Sequence, residues 1–136
     1  MRESFEYALI RVVPRVERGE CLNAGVILFS RPKRFLEARV ALNEARLMAL
    51  APDLTPDQIR GIDRQLQMIP RLCAGDPAAG PIALLAQAER WHWLVAPSST
   101  VIQPSAIHTG MSDNPAHELD RLFASMVNLP EVKLPG

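Results

Sequence analysis

The sequence predicts an α+β fold, an antiparallel sheet packed on helices, and three observations carry that prediction. Up to about residue 42 the apolar residues fall in runs and alternations of period two. Beyond Asn43 the apolar period lengthens to that of a helix. The 136-residue length suits one domain, and 48% apolar with 22% charged residues lies near the globular average. A chain of that length buries roughly two-thirds of its unfolded surface, so residues 1–136 read as a single domain whose core needs no metal or disulfide.

Phe5 to Val13 reads as a strand. Phe5, Tyr7, Leu9, Arg11 and Val13 share one face, and Ala8, Ile10 and Val12 share the other. Apolar groups on both faces suit a central strand. Pro14 ends it, because proline brings no N–H to the ladder. After a polar connection with Gly19 near its middle, Ala24 to Phe29 is again apolar on both faces. Phe35 to Leu42 alternates: Leu36, Ala38, Val40 and Leu42 oppose Glu37 and Arg39, which fits one wet face. Short links predict an antiparallel meander of these three strands.

Asn43 is placed to cap a short helix over 44–51, stopped by Pro52. Thr55-Pro56-Asp57-Gln58 is a helix start: a Thr cap, proline in the first turn, and Gln at the capping-box position. Ile59, Ile62, Leu66 and Ile69 then make one buried stripe, with Pro70 expected to kink or end the helix. A third helix is expected from Pro81 to about Arg90, with Leu84, Ala88 and Trp91 on one side. From Trp91 to Ser112 there is no Asp, Glu, Lys or Arg. Trp93–Ala96 and Val101–Gln103 are expected as short strands, confined to edges by Pro97 and Pro104. Asp113 or Asn114 caps the last helix, Pro115 opens it, and Leu119, Leu122, Phe123 and Met126 form its stripe, with Pro130 as its stop. Helices 55–71 and 113–128 are expected to cover one face of the sheet.

A net charge of zero argues against a general electrostatic grip on nucleic acid. The charge is uneven: residues 1–46 carry nine basic and six acidic side chains, and the remainder reverses that balance. Thirteen arginines against two lysines reflect either base composition or bidentate binding of carboxylate and phosphate. Cys21 and Cys73 do not make a disulfide framework, which points to a reducing compartment. No signal peptide and no run of about 20 apolar residues is visible, so the expectation is a cytoplasmic protein without a membrane segment.

Two stretches carry a resemblance. The first is Tyr7-Ala8-Leu9-Ile10-Arg11-Val12-Val13-Pro14, continuing through Arg18-Gly19-Glu20-Cys21-Leu22-Asn23-Ala24-Gly25-Val26. The second runs from Arg90 through Ile102-Gln103-Pro104-Ser105-Ala106-Ile107-His108-Thr109-Gly110. In order and spacing they resemble the bacterial domain-of-unknown-function family numbered 3037, over essentially the whole chain. That family brings no activity with it. The resemblance implies a stand-alone bacterial protein, often encoded beside a HipA-like kinase, and so a kinase-like partner. Ser98 stands after Pro97 where the family pattern leads one to expect arginine.

Two groups of residues carry possible chemistry. The hairpin holds Arg11, Arg15, Arg18, Glu20 and Asn23. Arg11 has apolar neighbours on its face, and a buried guanidinium needs a carboxylate partner, such as Glu20 or Glu37, or an anionic ligand. The charge-free segment holds Ser98, Ser99, Thr100, Gln103, Ser105, His108, Thr109 and Gly110, groups that line pockets or satisfy irregular backbone. His108 is the best acid–base candidate there. Cys21 with His108 has no nucleophile signature around it. His92, His108 and His117 lack metal-ligand spacing, and neither a P-loop nor a GxGxxG is present. Trp91 and Trp93 suit core packing or stacking on a base.

Two functions follow as expectations. One is a non-enzymatic accessory module, without cofactor or metal, that engages a protein partner or a second copy. The other is an enzyme or binding protein for a small anionic ligand. In that second reading Arg11, Arg18, Asn23, Ser99, Thr100, Gln103, Ser105 and His108 converge on one concave site.

Overall fold

The computed structural model describes residues 1–128. Three long strands open the chain: β1 (Glu3–Val12), β2 (Leu22–Ser30) and β3 (Phe35–Val40). They form the expected antiparallel meander, with β2 between β1 and β3. Four helices follow, α1 (Glu44–Leu50), α2 (Pro56–Cys73), α3 (Gln87–Leu94) and α4 (Pro115–Met126), with two short strands, β4 (Ile102–Pro104) and β5 (His108–Ser112), between α3 and α4. Both short strands pair antiparallel with β1, β4 along Ile10–Val12 and β5 along Glu3–Tyr7. They share one sheet edge, and β3 forms the other. The fold is α+β.

The central strands are buried on both faces because helices cover both. Ala8, Ile10, Val12, Ile27, Phe29 and Leu36 pack with Ile59, Ile62 and Leu66 of α2 and with Trp91 of α3. Phe5, Leu9, Val26 and Leu28 pack on the other face with Leu119 and Leu122 of α4. The expectation that helices 55–71 and 113–128 share one face is therefore wrong. The double-sided apolar pattern of β1 and β2 already required two covers. The wet face expected for β3 is partly occupied: Arg39 pairs with Asp120 of α4 at its border.

Local chemistry sets the helix ends. Asn43, Thr55 and Asn114 each accept a backbone N–H three residues on, from Arg46, Gln58 and His117. Gln58 returns the bond to the N–H of Thr55, completing the capping box. Pro70 lies inside the last turn of α2, which ends three residues later at Cys73, close to the expected stop. The third helix departs from expectation. Pro81–Leu84 is a 3-10 turn with Leu84 70% exposed, and the α-helix begins only at Gln87. Trp93 and Leu94 close that helix instead of opening a strand. In α4, Met126 is exposed and is not part of the stripe. The stop assigned to Pro130 lies outside the described residues.

Gly25 permits the close approach of β2 to β3, since a Cβ there would lie 2.7 Å from the carbonyl oxygen of Arg39. Between Ile10 and Arg11 the register of β1 with β2 shifts: Ile10 opposes Gly25 and Arg11 opposes Asn23, leaving Ala24 as the extra residue of a bulge.

Candidate functional site

The charge-free segment is held to the sheet edge by backbone pairing with β1 and by one serine hydroxyl. The N–H of Leu9 donates to Ser105 Oγ, and the N–H of Ser105 donates to the carbonyl of Leu9, both at 2.8 Å. Ser105 Oγ donates in turn to the carbonyl of Ala106. One buried serine thus stands in for a ladder rung between β4 and β5. Upstream, Ser98 Oγ lies 2.7 Å from Thr100 Oγ1, which donates to the carbonyl of Ile102, and Gln103 Nε2 donates to the carbonyl of Thr100. These bonds shape residues 98–103 into an ordered wall.

That wall closes an open groove of about 490 Å³ on the α2 face of the sheet. Ile10 and Ile27 lie at its sheet side, Met68 and Leu72 of α2 line another wall, and Trp93 sits at the end of α3. Gln65, Ser98, Thr100 and Gln103 supply its polar side chains, and no titratable side chain lines it. Trp93 is 54% exposed there, whereas Trp91 is fully buried and stacks on Phe29 with ring centroids 5.5 Å apart. Core packing is thus correct for Trp91 and incorrect for Trp93. Two residues apart on a helix, the two rings point in different directions. Sequence reasoning missed Gln65, Met68 and Leu72. Met68 and Leu72 continue the apolar arc beside the Ile62–Leu66 stripe, and that was their signal; polar Gln65 gave none.

Arg11 lies elsewhere. It shares the α4 face with Leu9 and Asn23, whereas the groove opens on the α2 face. Among the described residues it makes no ion pair, so neither Glu20 nor Glu37 is its partner. Its Nε is buried and meets no acceptor. Asn23, directly opposite, donates to the carbonyl of Met126 at 3.1 Å. The negative end of the α4 dipole therefore sits over this part of the sheet, a favourable neighbour for a guanidinium. Arg18 points to solvent and pairs with Glu20.

His108 opposes Tyr7, four residues along β1 from Arg11, which is about 13 Å at the usual strand rise. Its ring stacks on Tyr7 with centroids 5.1 Å apart and is exposed to water. Cys21 precedes Leu22, which opposes Val12, farther still from His108. The expected convergence of Arg11, Arg18, Asn23, Ser99, Thr100, Gln103, Ser105 and His108 does not occur. Thr100 and Gln103 reach the groove, Ser105 is a strand rivet, and exposed Ser99 neither lines the groove nor makes a side-chain hydrogen bond within the described residues.

Burial pushes the Cys73 thiol up to about 12, against the smaller opposing pull of the Arg90 charge. Arg90 ties α3 to its surroundings by donating to the carbonyls of Leu85 and Cys73. The arginines are dispersed. The six ion pairs among the described residues each use one, at separate surface places. No group of three or more metal-ligating side chains occurs among those residues, and no helix is long and apolar enough to cross a membrane.

The chain belongs to the family described as Protein of unknown function (DUF3037), whose model matches residues 7–127. The two sequence blocks that carry the resemblance correspond to β1–β2 and to the groove wall with β4 and β5. No curated protein and no solved structure matches the chain.

Proposed function

We propose that this chain is a non-enzymatic binding module that takes an apolar segment of a protein partner into the groove between α2, the end of α3 and residues 96–104. The single observation behind this reading is the lining. An open cleft of about 490 Å³ has apolar walls, four neutral polar side chains and no titratable group. Hydroxyls without a base nearby are poor nucleophiles, and a cleft lined by no cationic side chain lacks the charge-assisted bonds that grip a phosphate most strongly. A half-exposed tryptophan at such a rim is the usual form of a recognition anchor. The kinase-like partner implied by the family resemblance is the first candidate for the occupant.

The test is comparative capture from the native host with tagged wild type, Trp93→Ala and Met68→Glu. We expect a protein held by wild type and depleted at least tenfold by each variant, about 1.4 kcal/mol or more. Equal recovery by all three baits would overturn the reading. So would native mass spectrometry showing an anionic small molecule bound in place of a protein.

A further inference from the structure

The second feature is the outer edge of β5. The N–H and C=O of Leu9 both bond to Ser105, so odd-numbered residues of β1 direct their backbone groups to the β4/β5 side. Glu3, Phe5 and Tyr7 oppose Ser112, Gly110 and His108, which makes these the hydrogen-bonded pairs. The backbone groups of Thr109 and Met111 therefore point away from the sheet. Natural sheets guard such an edge with lysine, proline or a covering element. At β4 the guard is present: Pro104 has no N–H to offer, and the carbonyl of Ile102 is occupied by Thr100. At β5 the strand is His-Thr-Gly-Met-Ser, with no charged residue and no proline, and Met111 is 52% exposed. Among the described residues its one hydrogen-bonding cover is Arg2, whose Nη2 donates to the carbonyl of Met111 at 3.2 Å on the surface.

We propose that β5 is a self-association edge, pairing antiparallel with β5 of a second copy about a twofold axis at Gly110. The register is self-complementary. Centred on Gly110, Thr109 of each copy opposes Met111 of the other, and these are the residues whose backbone groups face outward. Two hydrogen-bonded pairs and four backbone bonds result. Gly110 opposes itself at the close, non-hydrogen-bonded position, where neither copy has a side chain to collide. His108 opposes Ser112, so no like charges meet across the axis. Gly110 is required within the protomer too, since a Cβ would lie 2.5 Å from Cζ of Phe5. The carbonyl of Met111 has a second lone pair, so the Arg2 contact does not exclude the new bond. The product is one continuous sheet across two copies. No residue of β5 lines the groove, so the two surfaces are independent. A five-residue edge is a small interface, and small interfaces give weak, concentration-dependent association.

Sedimentation velocity across the micromolar range tests this on wild type, Met111→Pro and Thr109→Lys/Met111→Lys. Proline at 111 removes only an outward N–H and leaves the bonds to β1 in place. The double lysine variant sets like charges directly opposite each other in the dimer, while in the monomer position 109 faces Glu6. Wild type is expected to shift from monomer to dimer with rising concentration, and both variants to remain monomeric with circular dichroism unchanged. If Met111→Pro does not fold, the lysine variant decides alone. A wild type that is monomeric throughout, or a dimer that survives the lysine pair, overturns the proposal. So does an edge found occupied by a different protein.

Discussion

The β1–β2 hairpin and the charge-free segment 91–112 are both poor in charge at their centres, for opposite reasons. In the hairpin, Ala8, Val12, Ala24, Val26 and Leu28 are fully buried, and water is excluded from both faces. In the segment, residues 96–100 and 106–109 are exposed, and the Thr100 hydroxyl and Gln103 amide bond backbone carbonyls there. An uncharged stretch that is wet needs another explanation than core packing. Here it forms a groove wall and an open strand edge.

Truncation should separate the two regions most strongly. Leu28→Ala, in the hairpin, is expected to cost about 2–5 kcal/mol by urea unfolding. Ile107→Ala, in the segment, is expected to change stability by no more than about 0.5 kcal/mol. Equal losses at both would break the comparison. Ser105 is the exception within the segment. Ser105→Ala leaves the buried N–H of Leu9 without its acceptor and is expected to cost about 1–3 kcal/mol, whereas Ser99→Ala should be nearly neutral.

The thiols sharpen the same contrast between buried and wet positions. Cys73 is buried and held as a thiol far above neutral pH, while Cys21 is exposed. Ellman's reagent should titrate one thiol in the native protein and two in denaturant. Two fast native thiols would mean that α2 does not seal the core. The smallest effect concerns α4. Its Glu118 carboxyl is held below the ordinary carboxylate value, first by the hydrogen bond from Arg121. A depressed carboxylate contributes stability above its unfolded pKa and loses it as pH falls through the folded one. Glu118→Gln should therefore show a slightly shallower loss of stability below about pH 5 than wild type, measured by thermal melts across that range. An unchanged acid limb would show that the pair contributes nothing.

Much of this fold was legible in the residues. Period two in β1 to β3, the Thr55–Gln58 capping box and the Asn114-Pro115 start are local signals, and each element formed where its signal stands. The layering was legible too, because β1 and β2 are apolar on both faces, yet assigning two helices to one face ignored that constraint. The β5 strand was not visible, because His-Thr-Gly-Met-Ser has weak strand propensity and is placed by pairing with β1. The site was read only in part. Thr100 and Gln103 stand out by type, but Met68, Leu72 and Trp93 look like ordinary core residues until α2 and α3 are placed in space. Arg11 drew attention as a lone charge among apolar neighbours. Its setting, beside Asn23 and the end of α4, comes from a contact more than 100 residues away in sequence.

Hydrogen–deuterium exchange on the chain alone and saturated with the captured partner tests the groove most directly. We expect slowed exchange confined to peptides covering 65–72 and 93–104, with β1, β2 and the Arg11 neighbourhood unchanged. Protection that appears around Arg11 and Asn23, or that spares residues 93–104, would contradict the groove as the recognition surface.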